Sequence, residues 1–184
     1  MSEADTVGDW IARIIAALSG AAPRAGGSRV VAVDGRSGAG KTSLAAALRD
    51  QLHAPVVSLE GLYGGWDGLE RGIDLLVGSV LEPLAAGYSA RVPRYDWVAE
   101  RWAAPMVLKP PDVLIVEGVG AGARRAAAFE SVLVWLELPA PVRKKRALDR
   151  DGATFASHWD EWAAQEDAML ARERTPDRAD IIIG

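Results

Sequence analysis

The stretch Gly35-Arg36-Ser37-Gly38-Ala39-Gly40-Lys41-Thr42 fits the spacing G-x-x-x-x-G-K-[ST]. Residues of these types at this spacing can hold a polyphosphate. The glycines let the backbone curl until successive N–H groups point inward, and a helix starting at the lysine adds its partial positive charge. Lys41 can then reach the β- and γ-phosphates, and the Thr42 hydroxyl can join the coordination of Mg²⁺. A glycine turn ahead of any helix has similar letters, but here the flanks decide. Arg29–Asp34 (RVVAVD) is a short β-branched strand running in, and Lys41–Leu52 is an alanine- and leucine-rich helix running out. The run Gly35 to Thr42, extended to Ser43, is the expected binding segment for ATP with Mg²⁺.

A metal held this way needs a carboxylate, directly or through water. Val113–Val116 (VLIV) is an apolar strand that ends in Glu117, and ligands of an open parallel sheet gather at that end of the strands. Glu117 is therefore the expected metal acid, beside the reading of a solvated acid at a strand exit. Glu60 follows the strand Val56–Leu59 and can accept the proton of an attacking hydroxyl, although it can also cap the turn at Gly61. Arg143, Arg146 and Arg150 recur at helical spacing and share a face. Guanidinium groups there can neutralise charge on a transferring phosphoryl group, or form a solvated face with Asp149 and Asp151. Arg146 and Arg150 are the two expected to act. Tyr95 can stack on a base or simply pack in an extended segment, and Trp159 and Trp162 read as packing residues.

Positioning these groups requires alternating elements. Residues 6–19 read as an amphipathic helix, with Val7, Trp10, Ile11, Ile14, Ile15 and Leu18 on one stripe, and Pro23 to Gly27 as a linker. Residues 69–86 read as helical up to Gly87, and a proline-containing loop follows the polar, aromatic stretch Arg91–Trp102. Ser131–Leu138 and Ala179–Ile183 are further strands, and Pro141–Arg150 and Phe155–Arg174 are helices on either side of Asp151-Gly152. Apolar strands alternating with helices indicate an α/β fold, a P-loop three-layer sandwich around a mostly parallel five-stranded sheet. Residues 1–28 form the N-terminal helix and linker, and 29–184 the P-loop domain.

Composition narrows the classes. The chain is 49% hydrophobic and 25% charged, as ordinary globular domains are, and no apolar run approaches a membrane span. The first apolar stretch, Trp10 to Leu18, contains Arg13 and follows Glu3, Asp5 and Asp9, which does not read as a secretory leader. A soluble, cytoplasmic protein is expected. The absence of cysteine excludes disulfides and thiolate metal sites, and His53 and His158 stand at no metal-ligand spacing. A net charge of −4 argues against a broad nucleic-acid surface. The expected partner is a small-molecule substrate, with neither nucleic acid nor membrane, and a homo-oligomer is left open.

From about Val30 onward the chain resembles the uridine kinase branch of the P-loop kinases. The resemblance rests on Val33-Asp-Gly-Arg-Ser-Gly-Ala-Gly-Lys-Thr-Ser43, on Ser58-Leu-Glu60-Gly-Leu-Tyr63 where that family has Asp-x-Phe-Tyr, on Pro93-Arg-Tyr95-Asp96-Trp97, on Glu117-Gly-Val and on Ala179-Asp-Ile-Ile. It implies that Glu60 replaces the family's catalytic aspartate, that Tyr63 faces substrate and that Asp67 holds sugar hydroxyls. Glu100 stands where the family has a histidine that reads the pyrimidine edge. The family's arginine-rich lid is reduced to Arg143-Lys-Lys-Arg146 and Arg150. Phosphoryl transfer from ATP to a nucleoside is the function so implied. A kinase for a sugar acid, vitamin precursor or nucleoside monophosphate is the alternative, and so is a nucleotide-dependent switch or ATPase. A guanine-reading Asn-Lys-x-Asp switch is ruled out, because the chain has no asparagine.

Overall fold

The computed structural model describes residues 6–184, the side chains of 150–155 excepted. Five strands form one sheet in the order β2-β5-β1-β6-β7, with every pairing parallel: β1 Arg29–Gly35, β2 Val56–Ser58, β5 Val113–Glu117, β6 Val132–Leu136 and β7 Ile181–Ile183. Alternation along the strands splits the core in two. Val30, Leu114 and Val116 pack on one face with Leu69, Ile73, Trp162 and Met169, while Val31, Val33 and Ile115 pack on the other with Ile14, Leu18, Leu44 and Leu48. Burial on both faces explains why these strands read as unbroken apolar runs.

The helices supply the outer layers. Those on the second face are α1 (Val7–Gly20) and α2 (Lys41–Leu52). The first face is covered by α3 (Leu69–Leu75), its π-helical continuation Leu76–Leu81, the short α4 (Glu82–Ala85) and α5 (Ala140–Glu173). The result is the three-layer α/β sandwich expected. No helix among the described residues is long and apolar enough to cross a membrane.

Two elements differ in form from the sequence expectation. The expected proline-containing loop after Trp102 is largely strand β4 (Arg101–Leu108), which pairs with β3 (Ala90–Asp96), in the polar, aromatic stretch before it, as a separate antiparallel hairpin. Its register shifts between Val92 and Arg94, where Pro93 faces the Ala104-Pro105 stretch. A two-stranded ribbon tolerates prolines at such an irregularity, because it has no further strand to receive the missing N–H. The second difference is α5, a single helical run where two helices were expected. It is not straight, because Lys144 Nζ lies 3.7 Å from Asp160 Oδ1. About 24 Å of straight helix would separate those two positions. The run therefore folds back on itself between Lys144 and Asp160, which brings Arg143 from one half and Trp162 from the other to Ser37.

Candidate active site

The chain leaves β1 toward β2 on one side of the sheet, and leaves β5 toward β6 on the other. The crevice between the ends of β1 and β5 is thus a topological switch point, the place where such sheets bind ligands. The loop Gly35–Gly40 leads from β1 into α2, with Gly38 and Gly40 at φ 80° and 103°. A side chain at Gly38 would be strained by that backbone and would also collide with the Arg143 carbonyl.

Asp34, just ahead of this loop, is fully buried. Its Oδ1 accepts the N–H of Gly35 at 2.7 Å and of Gly120 at 2.9 Å, and its Oδ2 accepts that of Gly122 at 2.9 Å. Burial pushes its carboxyl up to about 6, against the pull of those three N–H groups and Lys41. Asp34 therefore ties the end of β1 to the loop that follows β5.

Lys41 is buried and its Nζ donates to the Arg36 carbonyl at 3.0 Å. Thr42 Oγ1 donates to Glu117 Oε2 at 3.3 Å, and Glu117 is only 3% exposed. A hydroxyl and a carboxylate so close together, beside the glycine-rich loop, are the hard oxygen donors that Mg²⁺ prefers, and they fit that ion. Among the described residues no group of three or more His, Asp and Glu side chains could hold a metal by itself. The remaining ligands would have to come from phosphate and water.

One cleft of about 420 Å³ joins these groups to Glu60. Lys41, Thr42 and Glu117 lie along it, as do Ser58, Glu60, Tyr63, Trp66, Trp97 and Trp162. Glu60 sits in a single 3₁₀ turn (Leu59–Gly61) after β2, and its carbonyl accepts the Trp97 indole N–H at 2.9 Å. Tyr63 is buried, donates to the Val119 carbonyl at 3.0 Å and packs its ring 4.8 Å from Trp162. Burial, with Glu117 and Asp34 nearby, raises its phenol well above the ordinary value. Trp66 meets Trp97 at 4.9 Å and is covered on one face by His158, stacked at 4.5 Å.

Three expected acceptor residues are placed elsewhere. Asp67 is exposed and approaches the backbone of Gly65, in the turn before α3. Glu100 is exposed at the hairpin turn with φ 50°. Tyr95 stands behind Trp97 and Trp102, edge-on to both at 5.3 Å. None of the three lines the cleft.

The arginines divide. Arg146 lines a second cleft of about 410 Å³ together with Gly38, Gly40, Lys41, Thr42 and Ser43, so it faces the glycine-rich loop. Arg143 is buried and donates to the carbonyls of Leu138 at 2.9 Å and Ser37 at 3.2 Å. The Arg150 side chain lies outside the described residues. Arg36 pairs with Asp167 at 2.5 Å, and Ala39 is buried in the core under α2.

Sequence reasoning did not single out Asp34, Trp66, Trp97 or Glu166, and it placed Trp162 in packing alone. Trp162 does pack in the core, but it also lines the cleft and donates to Ser37 Oγ at 2.9 Å. The available signal was the density of tryptophan, 7 in the chain.

No protein-family model matches the sequence, and no curated protein matches it. Solved structures do. A candidate uridine kinase from Bacillus stearothermophilus superposes with a TM-score of 0.69 at 21% identity, over 97% of this chain and 97% of its own. A candidate fructose transport system kinase from Silicibacter sp. TM1040 gives 0.64 at 22%, over 98% of this chain and 100% of its own. With its parallel sheet, its glycine-rich loop at the switch point and its added hairpin, the chain shares the fold of these two structures.

Proposed function

We propose that this protein is a small-molecule kinase that transfers the γ-phosphoryl group of ATP to a hydroxyl of a ring-bearing, uncharged acceptor, a nucleoside being the leading candidate. The observation that carries the proposal is the continuity of the cleft. Lys41, Thr42 and Glu117 occupy one part of it, and Glu60 with an aromatic wall occupies the rest. A pure nucleotide switch has no use for the second part.

The roles follow from placement. Lys41 neutralises charge on the β- and γ-phosphates, and Arg146 approaches the same loop from α5. Thr42 and Glu117 would hold Mg²⁺, which when bound draws charge from the bridging oxygens. Glu60 receives a hydrogen bond from the acceptor hydroxyl and takes its proton as the new P–O bond forms. Trp66 and Trp97 offer flat apolar surface to a ring. Among the described residues lining the cleft, Lys41 is the one cation, and it belongs to the triphosphate. That favours an uncharged acceptor over a sugar acid or a nucleoside monophosphate, whose anionic group would meet Glu60 without a guanidinium partner. The likeness to a candidate uridine kinase supports the nucleoside, and the likeness to a candidate fructose transport system kinase keeps a neutral sugar as the second choice.

The test is ADP release from Mg²⁺-ATP across a panel of nucleosides, neutral sugars, sugar acids and nucleoside monophosphates. Stimulation by a neutral ring compound, with the phosphorylated product seen by mass spectrometry, is expected. ATP hydrolysis that no acceptor stimulates would turn the reading toward a switch or ATPase.

A further inference from the structure

All three polar groups of Ser37 are engaged by α5. Its N–H donates to Glu166 Oε1 at 2.9 Å, its Oγ accepts the Trp162 indole N–H at 2.9 Å, and its carbonyl accepts from Arg143 at 3.2 Å. The same indole N–H also donates to Glu166 Oε1 at 2.9 Å. The neighbours of Ser37 are held likewise, Arg36 by Asp167 and Gly38 by its close approach to the Arg143 carbonyl. Arg143 comes from one half of the folded-back α5, and Trp162 and Glu166 from the other, so Ser37 is where the two halves meet. Glu166 is 1% exposed. Its Oε1 accepts both the Ser37 N–H and the Trp162 indole N–H, so the buried carboxylate ties the two donors together.

We infer that Glu166 and Trp162 are positioning residues for the triphosphate: they fix the Ser37 peptide so that Gly38–Thr42 is presented to the phosphates in one conformation. The inference rests on the reading of this loop as a Mg²⁺-triphosphate site. A loop that must bring several N–H groups onto one anion loses binding free energy to every alternative conformation it visits, and outside supports remove those alternatives. Glycines make this loop especially free, and Gly35, Gly38 and Gly40 all lie in it. The Trp162 ring also lines the acceptor side of the cleft, so one residue touches both halves of the site.

The experiment is calorimetric titration of the purified protein with the β,γ-imido analogue of ATP and Mg²⁺, with circular dichroism melts on each sample. Glu166→Ala is expected to weaken binding at least 10-fold. Glu166→Gln, whose carbonyl oxygen can still accept both N–H groups, is expected to stay within 3-fold of wild type. Trp162→Phe keeps a ring and removes the donor, and should weaken binding about 3-fold or more. Combined with Glu166→Ala it should add little, because both changes release the same residue. Arg172→Ala, which loosens α5 at its exposed tie to Glu70, is the control for general destabilisation and should bind like wild type. If Glu166→Ala does not fold, Trp162→Phe and Glu166→Gln carry the comparison. Wild-type affinity in both Glu166→Ala and Trp162→Phe, or equal weakening in Arg172→Ala, overturns the inference while the nucleotide reading stands. Failure of the wild-type protein to bind the analogue overturns both.

Discussion

Thr42 and Glu117 lie 75 positions apart in the chain, yet their side-chain oxygens are 3.3 Å apart across the crevice between β1 and β5. The pairing of Val33 with Glu117 in the parallel register sets this approach, because it brings the end of β5 level with the start of the glycine-rich loop. A hydroxyl from the first turn of a helix and an acid from the adjacent strand thus converge without any loop having to adapt.

Lys41→Ala is expected to lower phosphoryl transfer by on the order of 10²–10³-fold, the effect of deleting one charge-stabilising donor from a preorganised site. Glu117→Gln keeps shape and hydrogen bonding but removes charge, and should raise the Mg²⁺ concentration needed for half-maximal rate by about 10–100-fold. Steady-state rates at varied Mg²⁺, with melts to confirm folding, check both. An unaltered Mg²⁺ requirement in Glu117→Gln would transfer the metal role to another acid.

Glu60 and Asp67 are separated by this structure, one in the cleft and one exposed on the turn beyond it. Glu60→Gln is expected to lower kcat by about 10²-fold with little change in KM for ATP, as loss of a group that acts in the transition state does. Asp67→Asn should change either constant less than about 2-fold, within the scatter of surface substitutions. Kinetics on the two variants with the acceptor found by the panel decide the matter. A large rise in acceptor KM for Asp67→Asn would mean that the turn at Gly64-Gly65 closes over the substrate.

The places of the glycine-rich loop after β1 and of Glu117 at the end of β5 were legible because their signals are local: a fixed glycine spacing, and an apolar strand that ends in an acid. The five strands of the sheet were legible for the same reason, each being a compact apolar run. The aromatic wall was not. Trp97 reaches the cleft because the hairpin folds over Glu60, whose carbonyl takes its indole N–H, and Pro93 and Pro105 disguise that hairpin as a loop; Trp66 joins it from the turn before α3. Glu166 was hidden by the reversal of α5, which carries a residue far along the chain back to Ser37. Asp34 stands one residue before the motif, but its three N–H partners belong to Gly35 and to a loop that follows another strand. These are long-range consequences of topology, and no periodicity announces them.

Asp34→Ala removes the acceptor of three buried N–H groups. Each unsatisfied donor costs about 1–3 kcal/mol, partly offset by relief of the buried carboxylate and by entry of water. A net loss of about 3 kcal/mol is expected, roughly 6–12 °C in Tm for a domain of this size. Asp34→Asn, which keeps one carbonyl oxygen in place, should lose less than Asp34→Ala. Denaturant titrations at pH 7 measure both. Equal stability of Asp34→Ala and wild type would show that the loop after β5 does not depend on this tie.

Glu130, at the entry to β6, gives the structure a measurable pH dependence. It is 6% exposed, and among the described residues its Oε1 has no hydrogen-bond partner. Burial pushes its carboxyl from 4.5 up to about 8; Arg178 and Arg24 pull it down, and Asp34 and Asp180 push it further up. The folded protein therefore holds a proton that the unfolded chain has released. Its contribution is complete below about pH 4.5, declines as the pH rises toward 8 and is lost above that value. The decline is at most about 1.4 kcal/mol per pH unit. Glu130→Gln keeps the shape of the neutral acid and cannot ionise. The difference in unfolding free energy between variant and wild type should thus be near zero at about pH 5 and should grow in favour of the variant, reaching a few kcal/mol by about pH 8. Other titrating groups are common to both proteins and cancel in that difference. Urea unfolding of the pair at steps across this range gives the curve. A difference that stays constant with pH would mean that Arg24 and Arg178 keep the carboxylate ionised throughout, with Glu130 acting as an ordinary buried ion-pair partner.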